Sequence, residues 1–221
     1  LSGIPFWDWD RGGFSGEIPT AELYIRSAQM AAFCPVMQYH AESKGQFNMD
    51  RTPWNIAERT GRADVLALYK RYADIRMNLL PYIYREARHS SLTGHPLMRA
   101  MLLDYPDDPA CGALTEQYMF GSRLLVAPVT EEGAERKDVY LPAGNWLPLF
   151  GGRPIAGGQT QCMEAPLAHI PVFIREDSVI PLRLGAACEL GDDVGNRMDG
   201  PLTLMIYACG GHVAYEDDEE E

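Results

Sequence analysis

The sequence predicts an α/β region followed by an all-β region, and three observations carry that prediction. Over the first ninety residues, short apolar runs alternate with segments whose apolar residues recur at helical spacing, the pattern of parallel α/β architecture. From about Gly94 the helical period gives way to short apolar runs bounded by Pro and Gly, as in an antiparallel sandwich. The hydrophobic share of 46% with 23% charged residues is that of a globular chain with a real core.

Residues 1–10 read as a strand running into Phe6-Trp7-Asp8-Trp9-Asp10-Arg11-Gly12-Gly13-Phe14-Ser15-Gly16. Thr20 is a good N-cap, and Glu22 in the first turn suits the positive end of a helix dipole. Leu23, Ala28, Met30, Ala31 and Phe33 give that helix an apolar side, and Cys34-Pro35 stops it. Val36–His40 reads as a second strand, followed by a loop from Ala41 to Asn55. A long helix opens at Thr60–Asp64, carries Leu66, Tyr69, Tyr72, Ala73, Leu80 and Ile83 at helical spacing, and is kinked by Pro81. The clusters at Asp8–Phe14 and His40–Ser43 each follow the C-terminal end of an expected strand, where a (β/α)8 barrel carries its active site.

In the second region, strands are expected in 95–103, 123–129, 138–142, 170–174, 179–182 and 202–207. Gly151-Gly152 and Gly157-Gly158 read as hairpin turns. Boundaries near 91–96 and 184–200 divide the chain into 1–92, 93–185 and 186–221. Asp107-Asp108 and Asp192-Asp193 read as solvated loop charges, and Glu216–Glu221 as a turn motif rather than a cation site.

A formal net charge of −12 excludes nucleic acid and anionic membrane surfaces as partners, and no apolar run has the roughly 20 residues that span a bilayer. Cys34, Cys111, Cys162, Cys188 and Cys209 show no C-x-x-C spacing. Buried free thiols in a reducing, cytoplasmic compartment are expected. His40, His89, His95, His169 and His212 lack metal-ligand spacing, so neither a metal nor a cofactor is expected. What remains is the aromatic–carboxylate–glycine loop. Indole and phenyl faces stack on the C–H faces of a pyranose, and carboxylates accept from its hydroxyls.

The motifs in order resemble glycoside hydrolase family 31. Trp9–Phe14 matches D-I-G-G-F, Glu22–Arg26 matches E-L-x-x-R, and Phe33–His40 matches F-x-P-x-x-R-x-H. Leu80–Tyr84 matches L-P-Y-x-Y, Phe120–Val129 resembles the proximal C-terminal sandwich, and Tyr215–Asp218 resembles a turn of the distal one. The resemblance implies the last βα units of a TIM (β/α)8 barrel, then antiparallel β-sandwich: barrel over 1–92, proximal sandwich over 93–185, the start of the distal one over 186–221. It implies a fragment of a retaining α-glycosidase, with an α-glucoside as substrate and an α-xyloside next. Asp10, Phe14 and His40 match substrate-pocket positions, and Trp7 and Trp9 are candidate pocket walls. The nucleophile and acid/base would lie upstream, so no catalytic residue is expected in this chain. The remainder of the barrel, from the same parent chain or a partner chain, would be required. Two other readings stand beside it: a non-catalytic carbohydrate-binding or scaffold protein, and one half of a split glycosidase. Arg11 departs from the usual Ile and Gln38 from the usual Arg, which puts the preferred sugar in question.

Overall fold

The computed structural model describes residues 2–38, 40–42, 50–195 and 201–210. The turn at 215–218 and the acidic tail lie outside the described residues. Four helices come first: α1 (Ala21–Ala31), α2 (Pro53–Thr60), α3 (Asp64–Asn78) and α4 (Leu80–Thr93). Thr20 caps α1 by accepting the Leu23 N–H at 3.2 Å. The helix is amphipathic, but Leu23 lies on its exposed side, and the buried side is built from Ala21, Tyr24, Ile25 and Ala28. The expected loop up to Asn55 ends early. Thr52 caps α2, Pro53 occupies its first turn, where a missing N–H costs nothing, and Gly61 closes it in the left-handed region at φ +67°. The expected kink at Pro81 is a break: Leu79 separates α3 from α4, and Pro81 sits in the first turn of α4.

The strands expected at 1–10 and 36–40 are not formed among the described residues. A parallel strand exists only through its ladder with flanking strands. Among the described residues these two segments make no such ladder with each other, and every strand pair is antiparallel.

Beyond residue 94 the architecture is the expected antiparallel one. Strands β1 (Met98–Ala100), β2 (Tyr118–Phe120), β3 (Leu124–Val126), β5 (Asn145–Pro148), β6 (Ile155–Ala156) and β8 (Val172–Arg175) form a sheet in the order β1-β2-β3-β8-β5-β6. Strands β4 (Arg136–Leu141) and β7 (Gln159–Glu164) pair in a second sheet, as do β9 (Ser178–Arg183) and β10 (Leu202–Tyr207) in a third. The run 95–103 is only half strand, since Met101–Asp104 turns into a short helix, α5. Gly151 and Gly152 lie in the expected hairpin, between the paired β5 and β6, where the Gly151 N–H donates to the Pro148 carbonyl at 3.2 Å. Gly157 and Gly158 make no hairpin, because β6 and β7 on either side of them belong to different sheets; their N–H groups donate instead to the Gly144 and Leu141 carbonyls at 2.7 Å each.

The central sheet is buried on both faces, and the period of two along its strands sorts side chains into two cores. Tyr118, Phe120, Leu124, Val126, Val172 and Ile174 face the helices, joining Phe33, Tyr72, Ile75 and Tyr82. The residues between them, Met119, Leu125 and Phe173, face β4 and pack with Val139, Leu141 and Trp146. A third core, around Tyr24, Ile25, Ile56 and Val65, joins α1, α2 and α3.

Polar bonds reinforce the contact between the helices and the sandwich. Five consecutive carbonyls, Ala165 to His169, each accept from a helix side chain. Arg26 donates to Ala165, Pro166 and His169 at 2.8–3.3 Å, Gln29 to Leu167 at 2.7 Å, and the Tyr72 hydroxyl to Ala168 at 2.8 Å. Arg26 also reaches the Ala134 carbonyl at 2.9 Å. Of the cysteines, Cys34 and Cys111 are buried as expected, but Cys162, Cys188 and Cys209 are exposed, because they fall on an edge strand and in loops. Asp108 and Asp192 are likewise more than solvated charges. Asp108 accepts from the Ala110 N–H and the Tyr140 hydroxyl, and Asp192 from the Ala187 N–H.

Candidate functional site

The loop between residue 10 and Thr20 turns on Gly12 and Gly13, which take φ of +71° and +91°, a region that L side chains rarely adopt. The Gly13 N–H donates to the Asp10 carbonyl at 2.8 Å and closes the turn. Beyond α1 the chain returns to the same place, and the Glu42 N–H donates to the Phe14 carbonyl at 2.8 Å. This brings Asp10, Phe14 and His40 together. His40 Nδ1 lies 3.4 Å from Asp10 Oδ1. The Phe14 ring meets the imidazole edge-on, centroids 5.3 Å apart at 65°. All three side chains are open to solvent: Asp10 at 41%, Phe14 at 43% and His40 at 64%. An acceptor-only carboxylate, an imidazole that both donates and accepts, and an apolar wall suit a polyhydroxylated ligand.

Trp7 is half-buried against the core shared by helices and sheet. Trp9 is half-buried, with its indole N–H unpaired. The described contacts of the Asp10–Phe14–His40 group involve neither tryptophan. Both carboxylate oxygens of Asp8 are buried without a hydrogen-bond partner.

Behind this group lie further buried side chains. Arg51 is buried, and its guanidinium donates to the carbonyls of Gly12, Phe14, Ser15, Gly16 and Glu17 at 2.8–3.4 Å. The Tyr24 hydroxyl donates to the Arg51 carbonyl at 2.7 Å, and the Tyr24 ring stacks on Tyr69 at 5.7 Å and 17°. Arg11, also buried, lies over Tyr69 at 5.8 Å from the ring centre. On the other side, Arg76 donates to the carbonyls of Ala32, Cys34 and Pro35, fixing the chain as it leaves α1 for His40. Burial lowers the Arg76 pKa to about 10, opposed by the nearby Cys34 and Asp8, and burial pushes the Cys34 thiol up to about 12. Arg51 and Arg76 are illegible in the sequence because these partners are backbone carbonyls, which leave no residue-type signature.

Among the described residues no group of three or more His, Cys, Asp or Glu could hold a metal ion, and no helix is long and apolar enough to cross a membrane. A separate cleft of about 400 Å³ lies in the sandwich, between Glu116, Glu131, Arg136, Lys137, Asp138 and Cys162.

Comparison with known proteins covers both regions. The family model for the glycosyl hydrolases family 31 TIM-barrel domain matches residues 1–86, and that for the family 31 C-terminal domain matches residues 94–180. The isomaltosyltransferase of Sporosarcina globispora is 46% identical over 95% of this chain and 20% of its own length. A cycloalternan-forming enzyme from Listeria monocytogenes, solved in complex with a pentasaccharide substrate, has a TM-score of 0.90 at 43% identity, covering 94% of this chain and 20% of its own. A cycloalternan-degrading enzyme from Trueperella pyogenes, solved in complex with a covalent intermediate, has a TM-score of 0.75 at 43% identity, covering 78% of this chain and 24% of its own. The chain thus spans between 20% and 24% of the length of these three relatives.

Proposed function

Because the chain belongs to glycoside hydrolase family 31, we propose that it supplies the sugar-pocket wall of a retaining α-glycosidase whose catalytic carboxylates lie on barrel segments outside residues 1–221. The observation that carries this is the convergence of Asp10, His40 and Phe14, with Asp10 Oδ1 and His40 Nδ1 3.4 Å apart and the Phe14 ring against the imidazole. Asp10 accepts from a pair of sugar hydroxyls, His40 bonds to a third, and Phe14 walls the apolar face of the ring. Trp7 and Trp9 are assigned as further walls of the pocket.

Retention needs two carboxyls about 5–5.5 Å apart, one to form the glycosyl-enzyme and one to protonate the departing oxygen. Asp10 is engaged with His40 and is not assigned to that pair. The covalent intermediate held by the Trueperella pyogenes enzyme supports a double-displacement route for the parent of this chain. The preferred unit is α-glucosyl rather than α-xylosyl, and the name of the Sporosarcina globispora relative points to an isomaltosyl group. The three domains of the sequence reading, 1–92, 93–185 and 186–221, are retained as part of this proposal.

The test is hydrolysis of nitrophenyl α-glucoside by the purified 221-residue chain, with isomaltose binding followed by NMR on the same samples. No turnover is expected. Asp10→Asn and His40→Ala should each weaken isomaltose binding about tenfold, the worth of one hydrogen bond of roughly 1.4 kcal/mol. Turnover that disappears in His40→Ala would move the catalytic carboxylates into this chain and overturn the assignment.

A further inference from the structure

Arg51 stands out from the other arginines that donate to several carbonyls by where its bonds go. Arg26 spreads its donors over the sandwich, and Arg76 holds the chain after α1. All the Arg51 acceptors given above lie within one stretch of six residues, Gly12 to Glu17, which is the loop that carries Phe14 and follows Asp10. A guanidinium offers five N–H groups in a fixed plane, so it can turn several carbonyls of a loop toward one point and thereby set the loop's curvature. The other backbone bonds given for this loop are two, from the Gly13 N–H to the Asp10 carbonyl and from the Glu42 N–H to the Phe14 carbonyl. Residues 13–17 are exposed, and Gly13 and Gly16 at positive φ leave the backbone free to take other paths. The Phe14 carbonyl accepts from both Arg51 and the Glu42 N–H, so the clamp extends to the segment that carries His40. Arg51 is itself held in place, because its carbonyl accepts from Tyr24, a residue of the α1–α3 core.

We propose that Arg51 is a positioning residue of the sugar pocket, holding Gly12–Glu17 curled so that Asp10 and Phe14 meet His40 in the geometry that receives a glucosyl unit. The proposal rests on the reading of that group as a sugar pocket. It differs from a plain stabilising role because the carbonyls Arg51 serves belong largely to exposed residues and can turn to water when it is removed. Loss of Arg51 therefore costs the loop its shape more than it costs the chain its fold.

The experiment compares the 221-residue chain with Arg51→Met, Arg51→Lys and Tyr24→Phe by isomaltose titration, amide hydrogen exchange at Gly13 and Glu42, and thermal unfolding. Arg51→Met should weaken isomaltose binding more than tenfold and speed exchange at both amides at least tenfold. Arg51→Lys should recover part of both, although the two variants unfold at similar temperatures. Tyr24→Phe should move binding and exchange in the same direction by a few-fold, and it decides the matter should Arg51→Met not fold. Unchanged exchange at Gly13 and Glu42 in Arg51→Met or in Tyr24→Phe would overturn the proposal, as would wild-type affinity in Arg51→Met. Failure of the unaltered chain to bind isomaltose would sink the sugar reading alone. Faster exchange in the variants would then still sustain Arg51 as the residue that shapes the loop.

Discussion

Replacing Arg26 with Met tests how the helices and the sandwich hold together. Methionine keeps most of the apolar stem and removes only the guanidinium. That head makes three short bonds to carbonyls, Ala165 at 2.8 Å and Ala134 and His169 at 2.9 Å, and two longer ones at 3.3 Å to Pro166 and to Gln29 Oε1. Hydrogen bonds from a charged donor contribute about 1.5–3 kcal/mol each, so the short ones set a gross loss of roughly 4–9 kcal/mol. Two effects reduce it. Burial holds the Arg26 pKa below its ordinary value, so the charge already bears a desolvation cost, and several of the freed carbonyls lie near enough to the surface to find water. A net loss of about 4 kcal/mol follows, near the low end of that range. For a chain of this size it lowers the unfolding midpoint by roughly 8–16 °C at about 2–4 °C per kcal/mol. Circular dichroism melts of the two proteins measure it directly. Glu22→Gln serves as a control, because the Arg26–Glu22 pair is 4.0 Å long and only partly buried, and it should cost about 1 kcal/mol or less. A drop of under about 2 °C for Arg26→Met would refute the reasoning: it would mean that the carbonyls rehydrate fully and the arginine contributes no net stability.

Three further outcomes are expected. A Cβ at Gly12 would meet Pro19 Cγ at 2.8 Å, whereas one at Gly13 would meet open space. Gly12→Ala should therefore cost about 2–3 kcal/mol and Gly13→Ala only about 1, from the positive φ alone, as read by urea midpoints. Native protein should expose three thiols, Cys162, Cys188 and Cys209, to a disulfide reagent, and five after denaturation; rapid reaction of Cys34 in the native state would contradict its burial. Stability should fall on the alkaline side. Cys34, with an ordinary value of 9.0, is raised to about 12 in the fold, and Tyr72, ordinarily 10.0, is raised to about 12. The folded chain thus keeps protons that the unfolded chain releases. The stability due to Cys34 is fully present below about pH 9 and declines by up to about 1.4 kcal/mol per pH unit as pH rises toward 12. Cys34→Ala should flatten the part that begins near pH 9, and equal midpoints at pH 8 and pH 10.5 in the unaltered chain would refute the prediction.

What the sequence disclosed depended on whether a structural cause acts over a short range. Thr20 declares the start of α1 because its cap bond spans three residues. Thr52, Pro53 and Gly61 declare α2 equally well, yet the polar composition around them reads as loop. Pro81 marks an interruption, but whether a helix bends or breaks there depends on the packing of Leu79, which is buried in the shared core. The runs at 123–129 and 170–174 read as strands because both faces of the central sheet are covered, and Leu124–Val126 and Val172–Ile174 are apolar at every position. The segments at 1–10 and 36–40 mislead for the converse reason: their apolar residues suit a parallel strand whose ladder needs neighbours. The motif around Asp10, Phe14 and His40 named side chains that lie together. Arg51 escaped, since it lies at least 34 positions from each of the carbonyls of Gly12 to Glu17 that accept from it.

The five carbonyls from Ala165 to His169 also bear on modularity. Followed along the backbone, the chain invites a cut near residue 93, where a left-handed Gly94 ends α4 and the first strand begins soon after. Followed through its polar bonds, it does not. Such a cut would take from the guanidinium of Arg26, the amide of Gln29 and the hydroxyl of Tyr72 their acceptors in the sandwich, and leave the other piece with a row of uncapped acceptors. A graft that moves this sandwich onto another barrel would therefore have to carry a matching set of donors on the recipient's helices, and a chimera designed from the junction sequence alone would omit them.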